Sequence, residues 1–476
     1  DNFNEKLREI TGFVSRYSKI DEVAPQTNFD AQTTFELFLD EQLKECDKIF
    51  PYNDEKKGRF IDLQKSFYEY QNLKMKKNEK LYPLKGVVQH YAWGGYEYIP
   101  ELIQQKNPDQ EPFAELWMGV HDRGPAVLTD GGEEVLLSDW LLAHPSALGA
   151  SQSQFGDQLP FLFKVLDVRE MLSIQSHPTK EQAEKGFALE NEAGVPLSAH
   201  HRNFKDDNHK PEVMVALTDF WLLHGFRSEA EIAVVLESEP AFLPLQPILK
   251  ESGIYGLYKT IMEWSQDQVA EVLQPLQSRL SQAHLTDKAH PDFWAKQAFE
   301  QYGGEDGDYD RGIFSIYLFN LVHIPPGKGI FQGAGIPHAY LEGVNVELMA
   351  NSDNVFRGGL TVKHVDVPML LSHLKFDAVT PEVLEGEALD GFEVAYKTPA
   401  ADFQLNRVYF PESGKYKPEP PKTAEIVLIT EGTVVSGNDG QVFSQGEAFF
   451  VPAGTSYELD VEEYTTLFKA LVPVSS

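Results

Sequence analysis

The sequence predicts a mainly β fold with α insertions: two β-barrels, a helical insertion domain within the first, and an N-terminal helical extension. Three observations lead there. From Leu84 onward, short apolar runs are punctuated by Gly and Pro, as in Lys85-Gly86-Val87-Val88-Gln89, Leu159 to Val168 and Phe314 to Ile324, the texture of a sandwich or barrel. Residues 226–311 break that texture with helical periodicity. Gly327 to His338 and Gly446 to Tyr457 echo each other as Gly, apolar residues and a Pro/Gly turn, which suggests a barrel duplicated within the chain.

Taken in order, residues 1–80 have few glycines and read as helices. Leu63, Phe67, Tyr70 and Leu73 fall near one helical face, and Lys74 to Lys80 is a charged linker. This segment is a helical extension, most simply a packing or oligomer-forming appendage. Residues 81–225 and 312–389 form the main β domain. Within the insertion, 226–311, Glu229 to Glu237 and Gln266 to His284 read as helices around Pro240, Pro244 and Pro247. Gly303 to Gly312 is an acidic turn whose Asp306, Asp308 and Asp310 imitate a calcium loop. Arg311 and Tyr317 stand where that loop needs Gly and Glu, so it is rejected. Strands are expected to resume at Ile313. The last β region, 390–476, carries the hairpin signal Gly437-Asn438-Asp439-Gly440.

Composition narrows the function. The chain has 476 residues and a formal net charge of −32, a field that repels nucleic acid and anionic membrane surfaces. An anionic substrate therefore needs a local cationic pocket. Cys46 is the single cysteine, which excludes an intrachain disulfide and a cysteine-rich zinc site. No apolar run reaches the roughly 18 residues of a membrane span. Asp1 to Phe13 does not resemble a secretory leader, and a start without Met reads as a trimmed N-terminus. A cytoplasmic protein, with a monomer favoured, is the expectation.

Three stretches carry chemistry. In Leu172-Ser173-Ile174-Gln175-Ser176-His177-Pro178, residues two apart on a strand face one side. Gln175 and His177 then offer an oxygen and a nitrogen together, with Ser173 beside them; alone, such a pair is weak. In Lys205 to Glu212, Pro211 keeps the backbone extended and Glu212 can supply a carboxylate with Lys210 a cation on the same side, although in isolation a charged surface turn is the stronger reading. In Gly329 to Tyr340, glycines permit a tight turn and Pro337 delivers His338 to a strand start. Tyr340 faces the same way, and Glu347 is read as continuing that odd–even pattern. Asp353, Arg357 and Lys363 follow, the two cations on a Gly-containing loop suited to a phosphate or an enediolate. Gln, His, Glu and His together form an O/N set suited to a catalytic zinc with an open position.

These motifs resemble the type I mannose-6-phosphate isomerase (phosphomannose isomerase) family. The matching stretches are Gln89-His90-Tyr91-Ala92-Trp93-Gly94, Ala114-Glu115-Leu116-Trp117-Met118-Gly119, the Gln175/His177 run, Asp206 to Glu212, and His338 to Lys363. The resemblance implies two cupin-type (jelly-roll) barrels and one Zn²⁺ per chain held by Gln175, His177, Glu212 and His338. It further implies isomerisation of mannose 6-phosphate and fructose 6-phosphate through a zinc-assisted cis-enediol. Arg357 matches the family's catalytic arginine. Lys210, Tyr340, Glu347, Asp353 and Lys363 match other active-site positions. Glu347 is the leading candidate base, with Lys210 and Tyr340 as proton shuttles. Ser173, Arg357 and Lys363 are the expected phosphate donors, and Trp93 is a substrate-side residue or a core aromatic. His90 and Asp122 depart from the family's usual Asn and Pro, and residues 1–80 have no counterpart. The competing readings are a non-catalytic sugar-binding cupin and a different metal-dependent cupin enzyme such as an oxygenase. The expected partner is a small phosphosugar, with neither nucleic acid nor membrane.

Overall fold

Strand His338–Ala350 is the spine of the site-bearing β region. Its outer half pairs antiparallel with Phe161–Val168 on one side and Glu212–Ala216 on the other. Its first residues pair with Ile174–Ser176 and Phe220–Phe226. The computed structural model describes residues 80–303 and 308–474. The helices expected within 1–80, and Cys46, lie outside those residues. Among the described residues the strands form sheets of ten, nine and four members, so the mainly β expectation holds.

The central strands form because their sequences suit burial on both faces. Phe161–Val168 reads FLFKVLDV, and every residue in it is buried. Such a strand has no solvent face, so the single lysine within it, Lys164, must find internal partners.

The helical stretch packs onto this β region. Helices Glu229–Ser238, Gln246–Glu263, Gln266–Gln282 and Pro291–Tyr302 occupy it. Ser228 and Ser265 begin two of them with reciprocal capping boxes to Glu231 and Gln268. Leu257, Leu273 and Trp294 share one buried core with Ile174, Leu223, Ala339 and Phe356. The helices therefore brace the strands that carry Gln175, His338 and Arg357.

One expectation fails here. The apolar run starting at Ile313 does not begin as a strand: Gly312–Leu318 is a helix, and the strand is Phe319–Ile324. All seven residues of that helix are buried. A run buried on every side shows no period that separates helix from strand. Asp310, one of the calcium-loop mimics, is occupied differently: its carboxylate accepts the backbone N–H groups of Gly312, Leu360 and Thr361. It thereby anchors the turn that follows Arg357.

The C-terminal hairpin forms where its turn signal lies, between Thr433–Ser436 and Val442–Ser444. The two echoing stretches also fold alike. Gly327 and Gly446 have φ of +80° and +83°, and Gly335 and Gly454 have +79° and +77°. Between each pair lies a short strand, Gly329–Gln332 or Ala448–Val451. The C-terminal part has its own apolar core around Val427, Ile429, Phe449 and Leu467. Beside it Lys469 is 4% exposed and pairs with Glu393 at 3.0 Å and Glu425 at 3.3 Å. Tyr416 and Tyr457 donate to the same two carboxylates.

Candidate metal centre

Strand register brings sequence-distant residues to one place. His338 lies opposite Gln175 on one side and His224 on the other. Arg357 also lies opposite Gln175, and Glu212 lies opposite Gln332 and Met349. His177 follows directly after the short strand Ile174–Ser176.

His177, Glu212 and His338 are buried and offer one ligand atom each, all within 4.8 Å of one another. Glu212 Oε2 is 3.5 Å from His177 Nε2 and 3.3 Å from His338 Nε2. A tetrahedral zinc with ligand bonds of ~2.0–2.1 Å has edges of roughly 3.3–3.4 Å, so the spacing suits a shared ion. All three atoms are buried without a hydrogen-bond partner. An unpaired buried acceptor is costly, and three converging ones are what a cation would satisfy.

The far side of each imidazole fixes its tautomer. His177 Nδ1 donates to the Asn354 carbonyl at 2.8 Å, and His338 Nδ1 donates to the Ile336 carbonyl at 3.0 Å. Carbonyl oxygens only accept, so the protons sit on Nδ1 and both Nε2 lone pairs face inward. Charge agrees. Burial, with Lys210 nearby, pushes His177 down to about 4 against the pull of Glu212, which keeps it neutral near pH 7. Burial alone would raise Glu212, but Lys210 and the imidazoles reverse this and hold it well below the usual carboxylate range. Lys210 Nζ donates to Glu212 Oε1 at 2.7 Å, leaving Oε2 for the centre. These residues fit a divalent zinc.

A second buried group borders the first. Glu347 accepts from the Tyr340 hydroxyl at 2.8 Å and from Lys164 Nζ at 3.3 Å. Lys164 also pairs with Glu115 at 3.3 Å, and Trp117 Nε1 donates to Glu115 at 2.5 Å. Burial and the Glu212 charge raise Glu347, and burial with the Glu347 charge raises Tyr340 well above the usual phenol range. Burial would depress Lys164, yet Glu115 and Glu347 reverse this and keep it charged.

Strict alternation does not bring Tyr340 and Glu347 together. Their separation of seven places them on opposite faces of a regular strand, so continuity of the odd–even pattern is corrected. The strand shifts register between Tyr340 and Glu342, and Gly343 sits at φ +129°. This β-bulge swaps the parity and turns Glu347 to the same side.

Asp353 pairs with Arg123, whose charge and that of Arg357 reach Lys363. The Arg123 contact is 2.5 Å and the His121 contact 3.4 Å; burial is outweighed by these partners, which hold Asp353 at about 2. Arg357 is half-buried, and it lies on strand Phe356–Gly359 where a loop was expected. Burial lowers it, and burial with the Arg357 and Arg123 charges lowers Lys363. Lys363 is exposed and Ser173 half-buried. Trp93 stacks on Tyr91 at 6.0 Å and packs against the core cluster that contains Tyr340. Gln175 is half-buried between the strands of His338 and Arg357.

The site expectations omitted Lys164, Arg123 and Asn354. For Lys164 the signal was present: a lysine inside a mostly apolar eight-residue run. Arg123 and Asn354 gave none, because surface arginines and loop asparagines are common.

Known proteins resemble this chain over most of its length. A family model described as phosphomannose isomerase type I, catalytic domain, matches residues 81–229. The mannose-6-phosphate isomerase of Salmonella typhimurium is 38% identical over 389 residues, 78% of this chain and 94% of that one. The Homo sapiens mannose-6-phosphate isomerase is 34% identical over 424 residues, covering 81% and 96%. A crystal structure of the S. typhimurium enzyme with fructose 6-phosphate and zinc superposes with a TM-score of 0.73 at 34% identity, covering 83% of this chain and all of that one.

Proposed function

The chain belongs to the type I phosphomannose isomerase family, and from that premise we propose that it interconverts mannose 6-phosphate and fructose 6-phosphate on a bound zinc ion. One observation carries the metal assignment: the converging, unpartnered Nε2, Oε2 and Nε2 atoms of His177, Glu212 and His338. Gln175 is proposed as the fourth donor, on its strand register opposite His338. Held by these four residues, zinc would supply Lewis-acid chemistry to the sugar's oxygens.

The reaction moves a proton between C1 and C2 of the open-chain sugar through a cis-enediol. Glu347 is proposed as the base. Its raised affinity for protons suits that task, and each carboxylate oxygen keeps a free lone pair beyond the bonds from Lys164 and Tyr340. Tyr340 and Lys210 are proposed to move protons to and from the sugar oxygens. A positioned acid–base group contributes about 10²–10⁴-fold. Arg357 is proposed to stabilise the enediolate charge; Ser173, Lys363 and Arg357 to hold the phosphate; Asp353 and Trp93 to shape the sugar's surroundings.

For the chain's organisation we propose two cupin-type barrels, 81–225 with 312–389 and 390–476, a helical insertion at 226–311, and an N-terminal extension at 1–80. The acidic composition and lone cysteine support a monomer working in the cytoplasm. Among the described residues no helix is long and apolar enough to cross a membrane. A coupled assay with mannose 6-phosphate tests the central reading. A chelator should abolish turnover and added Zn²⁺ restore it; turnover in verified metal-free protein overturns the metal's role.

A further inference from the structure

Two irregular segments border the candidate centre: residues 205–211, which lead to Glu212, and 351–355, which lead to Arg357. Neither is held by a strand ladder, so their backbone groups need other partners. Asn354 supplies them. Its side chain is fully buried. Its Oδ1 accepts the backbone N–H of Lys205 at 2.7 Å and of Asp206 at 3.4 Å. Its Nδ2 donates to the carbonyls of Asp206 at 2.9 Å and Asn208 at 2.8 Å. The side chain thus does for segment 205–208 what a neighbouring strand does elsewhere. The Asn354 main-chain carbonyl meanwhile accepts His177 Nδ1 at 2.8 Å.

Asp206 closes the knot. Its Oδ1 accepts from Asn208 N and from Ser352 Oγ, and its Oδ2 accepts from Asp353 N. Ser352 Oγ also accepts the Asn354 N–H at 3.2 Å. One compact set of bonds therefore ties the tautomer and aim of His177 to the path of the segment carrying Lys210 and Glu212. Arg357 begins three residues later on the same backbone.

We infer that Asn354, supported by Asp206 and Ser352, is a positioning residue for the metal centre, fixing His177 and Glu212 relative to each other and so setting zinc affinity. Its side chain bonds to the backbone of 205–208. The inference rests on the zinc reading proposed above and adds the residue on which retention of the ion depends. Outer partners of metal-bound histidines commonly contribute about 10–100-fold in affinity.

The test uses the full chain stripped of metal and titrated with Zn²⁺ against a chromogenic chelator. Asn354→Ala should weaken zinc binding by about 10–100-fold and shrink the zinc-induced rise in Tm. At saturating zinc, KM for mannose 6-phosphate should stay near that of the unaltered protein. A folded Asn354→Ala protein with unaltered zinc affinity overturns the inference, as does a raised KM without a change in zinc affinity. If Asn354→Ala does not fold, Ser352→Ala decides: weakened zinc binding supports the knot, and unaltered binding overturns it. Failure of the unaltered chain to bind zinc would instead remove the zinc reading itself.

Discussion

Arg357 and His177 carry the predictions that belong to single side chains. Burial strips Arg357 of part of its water, so its charge acts in a medium where it is poorly screened. Arg357→Ala should keep near-normal zinc content and lower kcat by about 10²–10³-fold, the scale of a removed charge stabiliser; steady-state kinetics with metal analysis checks both. His177 makes a pH prediction. Its pKa is 6.5 in an ordinary setting and about 4 here, chiefly from burial. Between those values the unfolded chain binds the extra proton and the folded chain does not, so stability rises with pH. Metal-free protein should lose stability as pH falls from 6.5 towards 4, as followed by urea titration at stepped pH. Stability flat across that window would contradict a neutral buried imidazole.

At the scale of elements, the bulge in strand His338–Ala350 decides whether Tyr340 and Glu347 meet. It depends on Gly343, whose φ of +129° disfavours any side chain. A Cβ there would come within 2.7 Å of the Asp219 carbonyl oxygen and 2.9 Å of Phe220 Cα. Gly343→Ala should cost about 1–3 kcal/mol of stability by strain and lower kcat by shifting Glu347. Denaturant melts and kinetics measure the two effects, and a variant unchanged in both would show that the bulge does not position Glu347. The motif runs around Gln175, Glu212 and His338 were legible because each element announced its residue type and its turn. The bulge was not. A one-residue irregularity leaves no mark on alternation that a reader can separate from ordinary scatter. The helix Gly312–Leu318 escaped for a related reason, since its apolar run is buried all round and fits either period.

Across the described residues, a buried lysine held between two carboxylates occurs in two places. Near the metal centre Lys164 lies between Glu115 and Glu347; in the C-terminal core Lys469 lies between Glu393 and Glu425. Each lysine is held charged by its carboxylates against the pull of burial. Removing one partner of such a group leaves uncompensated charge inside the protein. Lys469→Met should therefore destabilise the chain by about 3–5 kcal/mol while leaving zinc affinity intact, as read by melting and zinc titration. Loss of zinc affinity in a folded Lys469→Met protein would mean the two centres are coupled.

The amino-acid sequence by itself determined the mainly β class, the helical stretch between its β parts, and the residue types from which a metal centre could be built. Those follow from local periodicity, turn chemistry and ligand chemistry, which are properties of short stretches. Only the tertiary structure decided that His177, Glu212 and His338 aim three bare atoms at one point. It also decided that a bulge turns Glu347 toward Tyr340, that Lys164 donates to Glu347, and that the Asn354 carbonyl accepts from His177. Each of these depends on pairing across as many as 183 positions of sequence, and such register is set by the packing of the whole sheet rather than by any neighbour along the chain.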